Sequence, residues 1–296
     1  MRITLKQIEV FVAVVQQGSV TRAAAVIGLT QAAASMALAD LERQLDTRLF
    51  DRIGKRLALN EDGRTLYPKA VEIVERVQEL ESCLRPGQRA TDLRLGASST
   101  VGNYVLPRLM SEFLAAAPQS QLRLEVKNTR GVIEAMRRFQ IDLGFVEGPC
   151  LDPELDSIPW REDELAVCAA PDHPLAQQAT LTPADLRAHQ WILREPGSGT
   201  REVVEQLLEN QLGRIRLLME LGNTEAIKRA VESGMGISCL PKIALLEAVE
   251  RGKLVCLTTP FLQLTRRFYI LLHRQKHRTL GIESFLTHCL QSTAVG

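Results

Sequence analysis

Between Val10 and Ala39 the chain carries no acidic residue, and its apolar residues keep a helical period broken by glycine turns. Ile8, Phe11, Val12 and Val15 fall at i, i+3, i+4 and i+7, which is one face of a helix. Gln17-Gly18-Ser19 ends that helix, and Ser19 is placed to cap a second segment carrying Ala23, Ala24 and Ile27. The second segment breaks at Gly28-Leu29. Thr30 can cap a third helix, whose inner face is Ala34, Leu38, Leu41 and Leu45. Short helices joined by a tight glycine turn form the helix-turn-helix pattern. Small Ala23 and Ala24 let the helices cross closely, Gly28 permits the turn and Leu29 covers the junction.

The segment after the third helix favours a DNA-binding hairpin beside it. Residues 49–59, Leu-Phe-Asp-Arg-Ile-Gly-Lys-Arg-Leu-Ala-Leu, read as strand, basic tip and strand, with Gly54 in the turn and Arg52, Lys55 and Arg56 forming a positive wing. The third helix opens with Thr30, Gln31, Ser35 and Met36 exposed, and nothing there repels DNA. Lys+Arg is 36 against Asp+Glu 35, so bulk charge argues for no partner, and a nucleic acid must be met by a local basic surface. Over residues 60–84, Asn60 caps a long helix with an apolar stripe of Leu66, Ala70, Ile73, Val74, Val77, Leu80 and Leu84. A lone helix cannot bury such a stripe, and a helix from a second copy is the natural partner.

After Asp92 the pattern alternates strand and helix. Strands are expected at 93–97, 122–126, 141–146, 165–169 and 267–273, and helices at 106–117, 132–139, 201–211, 225–232, 242–249 and 282–290. This rhythm indicates a parallel sheet with covering helices, in two α/β halves with a late return. Three strand-to-helix junctions are rich in hydroxyls and glycine: 97–102, 195–201 and 222–225. Each is explained by ordinary capping, but three in one cleft suit a small anion or carboxylate.

Other functions find little support. Gly197-Ser198-Gly199 is not a nucleophile elbow, and there is no phosphate loop and no complete dinucleotide fingerprint. His273 and His277 have i, i+4 spacing but no evident third ligand, and read as a solvated strand end. No catalytic residue, cofactor or metal is expected. Cys83, Cys150, Cys168, Cys239, Cys256 and Cys289 are scattered without a C-x-x-C pair and read as isolated buried thiols. No stretch approaches the roughly 18–20 apolar residues of a membrane span, and the N-terminal residues lack the apolar core of a signal peptide. A cytoplasmic protein with no membrane contact is expected.

Taken together, Leu5-Lys6-Gln7-Ile8-x-x-Phe11, Gly18-Ser19-x-Thr21-Arg22-Ala23-Ala24, Leu29-Thr30-Gln31-Ala32-Ala33-Ala34-Ser35, Leu41-Glu42-x-x-Leu45 and Leu49-Phe50-Asp51-Arg52 resemble the LysR-type transcriptional regulators. The similarity runs over nearly the whole chain. The stretch 96–107 looks most like the branch with regulators of carbon fixation and sulfur assimilation. The resemblance implies an all-α winged helix-turn-helix N-terminal domain plus an α/β two-subdomain, periplasmic-binding-protein-like effector domain. The expected divisions are 1–59 for DNA binding, 60–91 for linker helix and hinge, and 92–296 for the effector domain. Within the last, one subdomain takes 92–161 with 267–296 and the other 162–266. The implied partners are promoter DNA, a second copy (homodimers that pair into tetramers) and a small anionic effector, an inorganic oxyanion or a metabolite carboxylate or phosphate.

Carried over by residue, Thr30 should meet phosphate, and Gln31 and Ser35 should reach base edges. Arg52, Lys55 and Arg56 match the family's wing. Ala32 replaces a frequent proline, and Met36 replaces a basic residue but can touch a thymine methyl. Asn60-Glu61-Asp62-Gly63 stands for the usual Thr-x-x-Gly start of the linker helix. The effector cleft is implied at Ser98, Ser99, Thr100, Glu147, Ser198, Thr200, Arg201 and Thr224, where Glu147 opposes an anion unless Arg201 or a proton offsets it. Cys150 stands beside this loop, with no second cysteine nearby in sequence. A solute-binding receptor without sequence-specific DNA binding is the alternative reading, and an α/β enzyme with a fused helical domain is a more distant one.

Overall fold

The computed structural model describes residues 3–53, 56–83 and 91–292. Helix α1 (Leu5–Gln17) starts in a capping box, in which Thr4 Oγ1 accepts from Gln7 N and Gln7 Oε1 accepts from Thr4 N at 2.8 Å. It stops at Gly18, whose φ of 60° is left-handed. Ser19 precedes α2 (Val20–Val26) in extended backbone, but its side chain makes no cap bond. After Gly28 (φ +68°), α3 (Gln31–Leu45) begins where Thr30 Oγ1 accepts from Ala33 N at 3.2 Å. The axes of α2 and α3 turn through 108°, the helix-turn-helix crossing. Phe11, Ala23, Ala24, Ala34, Leu38 and Leu41 share one core. Helix α1 is buried more widely than one stripe, with Val10, Ala13 and Val14 also inside, because α2, α3 and the helix after the hairpin all pack on it.

Strands β1 (Phe50–Ile53) and β2 (Arg56–Leu59) form an antiparallel hairpin with Phe50 opposite Leu59 and Ile53 opposite Arg56. Its tip, Gly54 and Lys55, lies outside the described residues. Asn60 then caps α4 (Glu61–Cys83), with Oδ1 accepting from Gly63 N at 2.9 Å and Nδ2 donating to Arg48 O at 2.7 Å. Gly63 is fixed by space: a Cβ there would stand 2.2 Å from the Leu49 carbonyl oxygen.

The remainder runs β3 (Asp92–Ser98), a π-helical turn at Val101–Val105, α5 (Leu106–Ala116), β4 (Gln121–Lys127), α6 (Thr129–Arg137), β5 (Leu143–Glu147) and β6 (Leu155–Ala169). Then come α7 (Pro183–Ala188), β7 (Gln190–Arg194), α8 (Gly199–Leu212), β8 (Arg216–Leu221), α9 (Thr224–Glu232), β9 (Ser238–Pro241), α10 (Lys242–Glu250), β10 (Val255–Cys256), β11 (Thr265–His273) and α11 (Leu280–Gln291). Strand β3 pairs in parallel with β4 and β5, and β7 with β8. The expected parallel arrangement ends there: β11 is antiparallel to β5 and β6, and β6 is antiparallel to β9 and β10. The reason is the crossing between lobes. Strand β6 carries the chain out of the first lobe and β11 brings it back, so side by side they run in opposite directions. The segment expected as a short strand at 165–169 is the far end of this long β6. The crossing point is marked by Leu165 N bonding Leu264 O at 2.7 Å.

The apolar stripe of α4 divides between two uses. Tyr67, Ala70 and Val71 are buried within the chain, in the same core as Phe139 of the α/β part. Leu66, Val74 and Val77 are half-buried, whereas Ile73 (43%) and Leu80 (63%) stand exposed; Leu84 lies outside the described residues. Phe139 has a left-handed φ of 54° and sits edge-on to Tyr67 at 5.5 Å and against His273 at 4.1 Å. His273 is therefore a buried side chain, because Phe139 covers it, and not the solvated strand end its basic neighbours imply. Beside this stack lies a buried charge cluster. Lys276 Nζ donates to Glu75 Oε1 of α4 at 2.6 Å and reaches Asp142 Oδ1 at 3.1 Å, and Arg94 Nη2 meets the same Asp142 oxygen at 2.8 Å.

Candidate functional site

Two surfaces hold the residues singled out from the sequence. The first is the opening of α3. Because Ala34, Leu38 and Leu41 turn inward, Thr30, Gln31 and Ala32 stand exposed, Met36 is 67% exposed and Ser35 is half-buried. Gln31 Nε2 lies 3.4 Å from Ser35 Oγ, a long bond that leaves both groups able to turn to another partner. The wing's backbone places Arg52 opposite Leu57 and Arg56 opposite Ile53, next to the tip. The side chains of Arg52 and Arg56, and Lys55 entirely, lie outside the described residues.

The second surface is the seam between the two lobes. Ser98 ends β3, Ser99 and Thr100 open the helical turn that follows it, Glu147 ends β5, Ser198 and Thr200 open α8 and Thr224 opens α9. Strand ends and helix starts are where backbone N–H groups face a cleft, so the topology converges these residues. Two arginines bind them together. Arg266 at the start of β11 donates from Nη1 to Thr200 Oγ1 at 2.9 Å and from Nη2 to Thr100 Oγ1 at 3.3 Å, one hydroxyl from each lobe. Its Nε meets Asp163 at 2.6 Å, and Glu147 lies 4.0 Å away. Arg194 at the end of β7 donates from Nη1 to Thr224 Oγ1 at 3.3 Å and from Nη2 to Ser99 Oγ at 3.4 Å, and holds Glu195 through two bonds.

Burial pushes the Asp163 carboxyl above its ordinary pKa, because the Arg266 guanidinium offsets that loss of hydration only in part and Glu147 adds repulsion. Glu195 goes the other way: burial raises it, but the bonds from Arg194 and Asn128 outweigh burial. Glu147 accepts from Thr129 Oγ1 at 3.0 Å, and the same Thr129 oxygen accepts from Gly199 N at 3.2 Å. A Cβ on Gly199 would lie 2.6 Å from that oxygen, so glycine lets the second lobe press onto the first. Ser198 Oγ accepts from Arg201 N at 3.4 Å as a cap. Ser98 Oγ is buried and has no hydrogen-bond partner among the described residues.

Arg201 departs from expectation. Its guanidinium turns away from the seam, donating to Arg194 O at 2.7 Å and pairing with Glu205 and Glu220. It braces the β7–β8 edge and cannot offset Glu147 from there. The cations that bond hydroxyls of both lobes are Arg194 and Arg266, neither of them among the residues singled out from the sequence. Each was legible as a charge at one end of an apolar strand, Trp191-Ile192-Leu193-Arg194 and Arg266-Arg267-Phe268, a pattern easily taken for a solvated strand end.

Residues 5–64 match the model of the bacterial regulatory helix-turn-helix protein, lysR family, and residues 86–294 match the LysR substrate binding domain. The chain belongs to the LysR family of transcriptional regulators. It is 46% identical over 289 residues to the HTH-type transcriptional regulator YeiE of Escherichia coli (strain K12), covering 98% of each chain. It is 32% identical to the RuBisCO operon transcriptional regulator of Allochromatium vinosum, over 99% of this chain and 98% of that one. The carbon-fixation branch read from residues 96–107 is thus represented among its relatives. A solved structure of the Synechocystis PCC6803 CcmR regulatory domain in complex with 2-PG is 31% identical, with a TM-score of 0.64, and covers 69% of this chain and all of that one. Membership makes the helix-turn-helix a DNA-binding module and the two-lobed part an effector-binding domain of a regulator. Among the described residues no single helix is long and apolar enough to cross a membrane.

Proposed function

We propose that this regulator reads promoter DNA with the opening of α3 and responds to a small anion held at the seam between its lobes. The observation that carries the anionic class is the pair of buried guanidinium groups, Arg194 and Arg266, each bonded to hydroxyls of both lobes. A carboxylate, phosphate or inorganic oxyanion accepts the same N–H and O–H donors and carries the charge they favour. Ser98 Oγ, buried without a partner, is a further donor for it. The complex of CcmR with 2-PG, 2-phosphoglycolate, supports the same class in a relative. Of the residues carried over, Ser98, Ser99, Thr100, Thr200 and Thr224 keep their proposed role, Glu147 and Ser198 set the pocket's shape and charge, and Arg201 supports it from behind.

On the DNA side, Thr30 meets phosphate and Gln31 and Ser35 read base edges, with Ala32 and Met36 as apolar contacts and Arg52, Lys55 and Arg56 on the wing. A second copy covers Ile73 and Leu80 of α4, and dimers pair into tetramers on DNA. A promoter-binding regulator works where the chromosome is, in the cytoplasm. The functional units are residues 1–59, 60–91 and 92–296.

Titration calorimetry of the full chain with sulfate, sulfite, phosphate, 2-phosphoglycolate and a neutral sugar tests this reading. Binding of at least one anion, lost in Thr200→Val while affinity for promoter DNA is kept, is the expected result. Binding of the neutral compound alone, or unchanged anion binding in Thr200→Val and Thr100→Val, overturns it.

A further inference from the structure

Two cysteines far apart in sequence meet across a strand pair at the edge of the second lobe. Cys256 of β10 and Cys168 of β6 are register partners, with Val255 opposite Ala169. Leu257 N bonds Val167 O at 2.8 Å, so the neighbouring pair carries the ladder bond and the cysteine pair is of the non-hydrogen-bonded kind. In such pairs the Cα atoms are about 4.5 Å apart and the side chains leave the sheet on the same face. That spacing falls at the near end of the roughly 4.4–6.8 Å that a disulfide spans. Both thiols are free. The expectation of isolated buried thiols therefore fails here, since Cys256 is exposed and Cys168 is its neighbour.

The two sulfurs are unequal. Cys168 is fully buried, in a cluster with Ile227, Leu245 and Leu254. Cys256 is open to solvent. An accessible thiol beside a sheltered one is the arrangement in which the first is oxidised and the second resolves it. Cys239 does not compete: it stands opposite Val167 on β9 and its side chain belongs to the cluster on the other face.

We propose that Cys256 and Cys168 are a redox modification site, closing to a cross-strand disulfide when the protein meets a hydroperoxide. The Cys256 sulfur attacks the peroxide, the O–O bond breaks, and sulfenic acid and water result. The Cys168 sulfur then attacks the Cys256 sulfur, the S–S bond forms, the S–O bond breaks, and the departing hydroxide takes the Cys168 proton as a second water. Two thiols and one hydrogen peroxide become one disulfide and two waters. Burial holds both thiols above their usual pKa, with Lys242 easing Cys256 back only in part, so the first step is slow beside that of an ordinary exposed cysteine. The bond would tie β10, whose ladder is two residues long, to the strand that both lobes share.

The test is to expose the reduced full-length protein to graded hydrogen peroxide, block remaining thiols by alkylation and map peptides by mass. The expected result is one cross-linked peptide pair bearing Cys168 and Cys256, lighter by two hydrogens and restored by dithiothreitol. In Cys256→Ser the pair vanishes and Cys168 stays reduced at the same dose, whereas Cys150→Ser changes neither. Cys256 ending as sulfinic or sulfonic acid while Cys168 remains alkylatable on unfolding would overturn the proposal. So would oxidation of Cys168 at the same dose in Cys256→Ser.

Discussion

At the level of single residues, the opening turn of α3, proposed to face DNA, is notable for how little charge it carries. Thr30 is already engaged as the cap of α3, its oxygen holding Ala33 N, so the phosphate contact proposed for it would be made by the hydroxyl proton. Gln31 is then the one long, exposed amide on that turn, suited to a bidentate contact with adenine. Gln31→Ala should cost about 1–3 kcal/mol of discrimination between operator and a single-base variant, read by competition binding. Equal losses on operator and random DNA would show that the side chain touches backbone instead. Met36 is 67% exposed on the face of α3 opposite the buried Ala34, Leu38 and Leu41, where the apolar contact proposed for it would be made.

The elements show where sequence reasoning reaches and where it stops. Helices α1 to α4 were legible because their apolar period and glycine breaks agree, joined in α3 and α4 by the caps, Thr30 bonding Ala33 N and Asn60 bonding Gly63 N. Strands β3 to β5 were legible as apolar runs between helices. The length of β6 was not, because its first half pairs with β11 through alternating charged residues such as Asp163 and Arg266, which resemble a loop until the partner strand is known. The same blindness hid the seam arginines and the charge cluster under α4. In that cluster Asp142 sits below the ordinary carboxylate range: burial raises it, but Lys276 and Arg94 outweigh burial. Stability from a carboxylate with a depressed folded pKa is complete above its unfolded value of about 3.9 and is lost as pH falls through the folded value. Glu75 is shifted upward by burial, against Lys276, so its ionisation subtracts stability as pH rises past its unfolded value. Denaturant unfolding of Asp142→Asn should therefore show a deficit at neutral pH that shrinks on acidification to about pH 3. A deficit constant with pH would place the effect in packing alone.

At the scale of the molecule, α4 has one face committed to its own chain and another open. Ile73 and Leu80, one heptad apart on a helix of 23 residues, are exposed on the open face, the one proposed to meet a second copy. Leu80→Glu should shift the sedimentation profile toward monomer and lower operator affinity, because one recognition helix then reads alone. An unchanged profile would assign dimerisation to another surface. The committed face has a practical consequence for anyone who dissects the molecule. Tyr67 and Glu75 are, in effect, the medium in which Phe139, His273 and Lys276 fold. Severing the chain after α4 leaves an aromatic ring on a left-handed backbone, and an ammonium stripped of one of its two carboxylates, facing water in their place. An effector affinity measured on the severed half is that of a domain with this surface rehydrated, and only the intact chain weighs effector against operator.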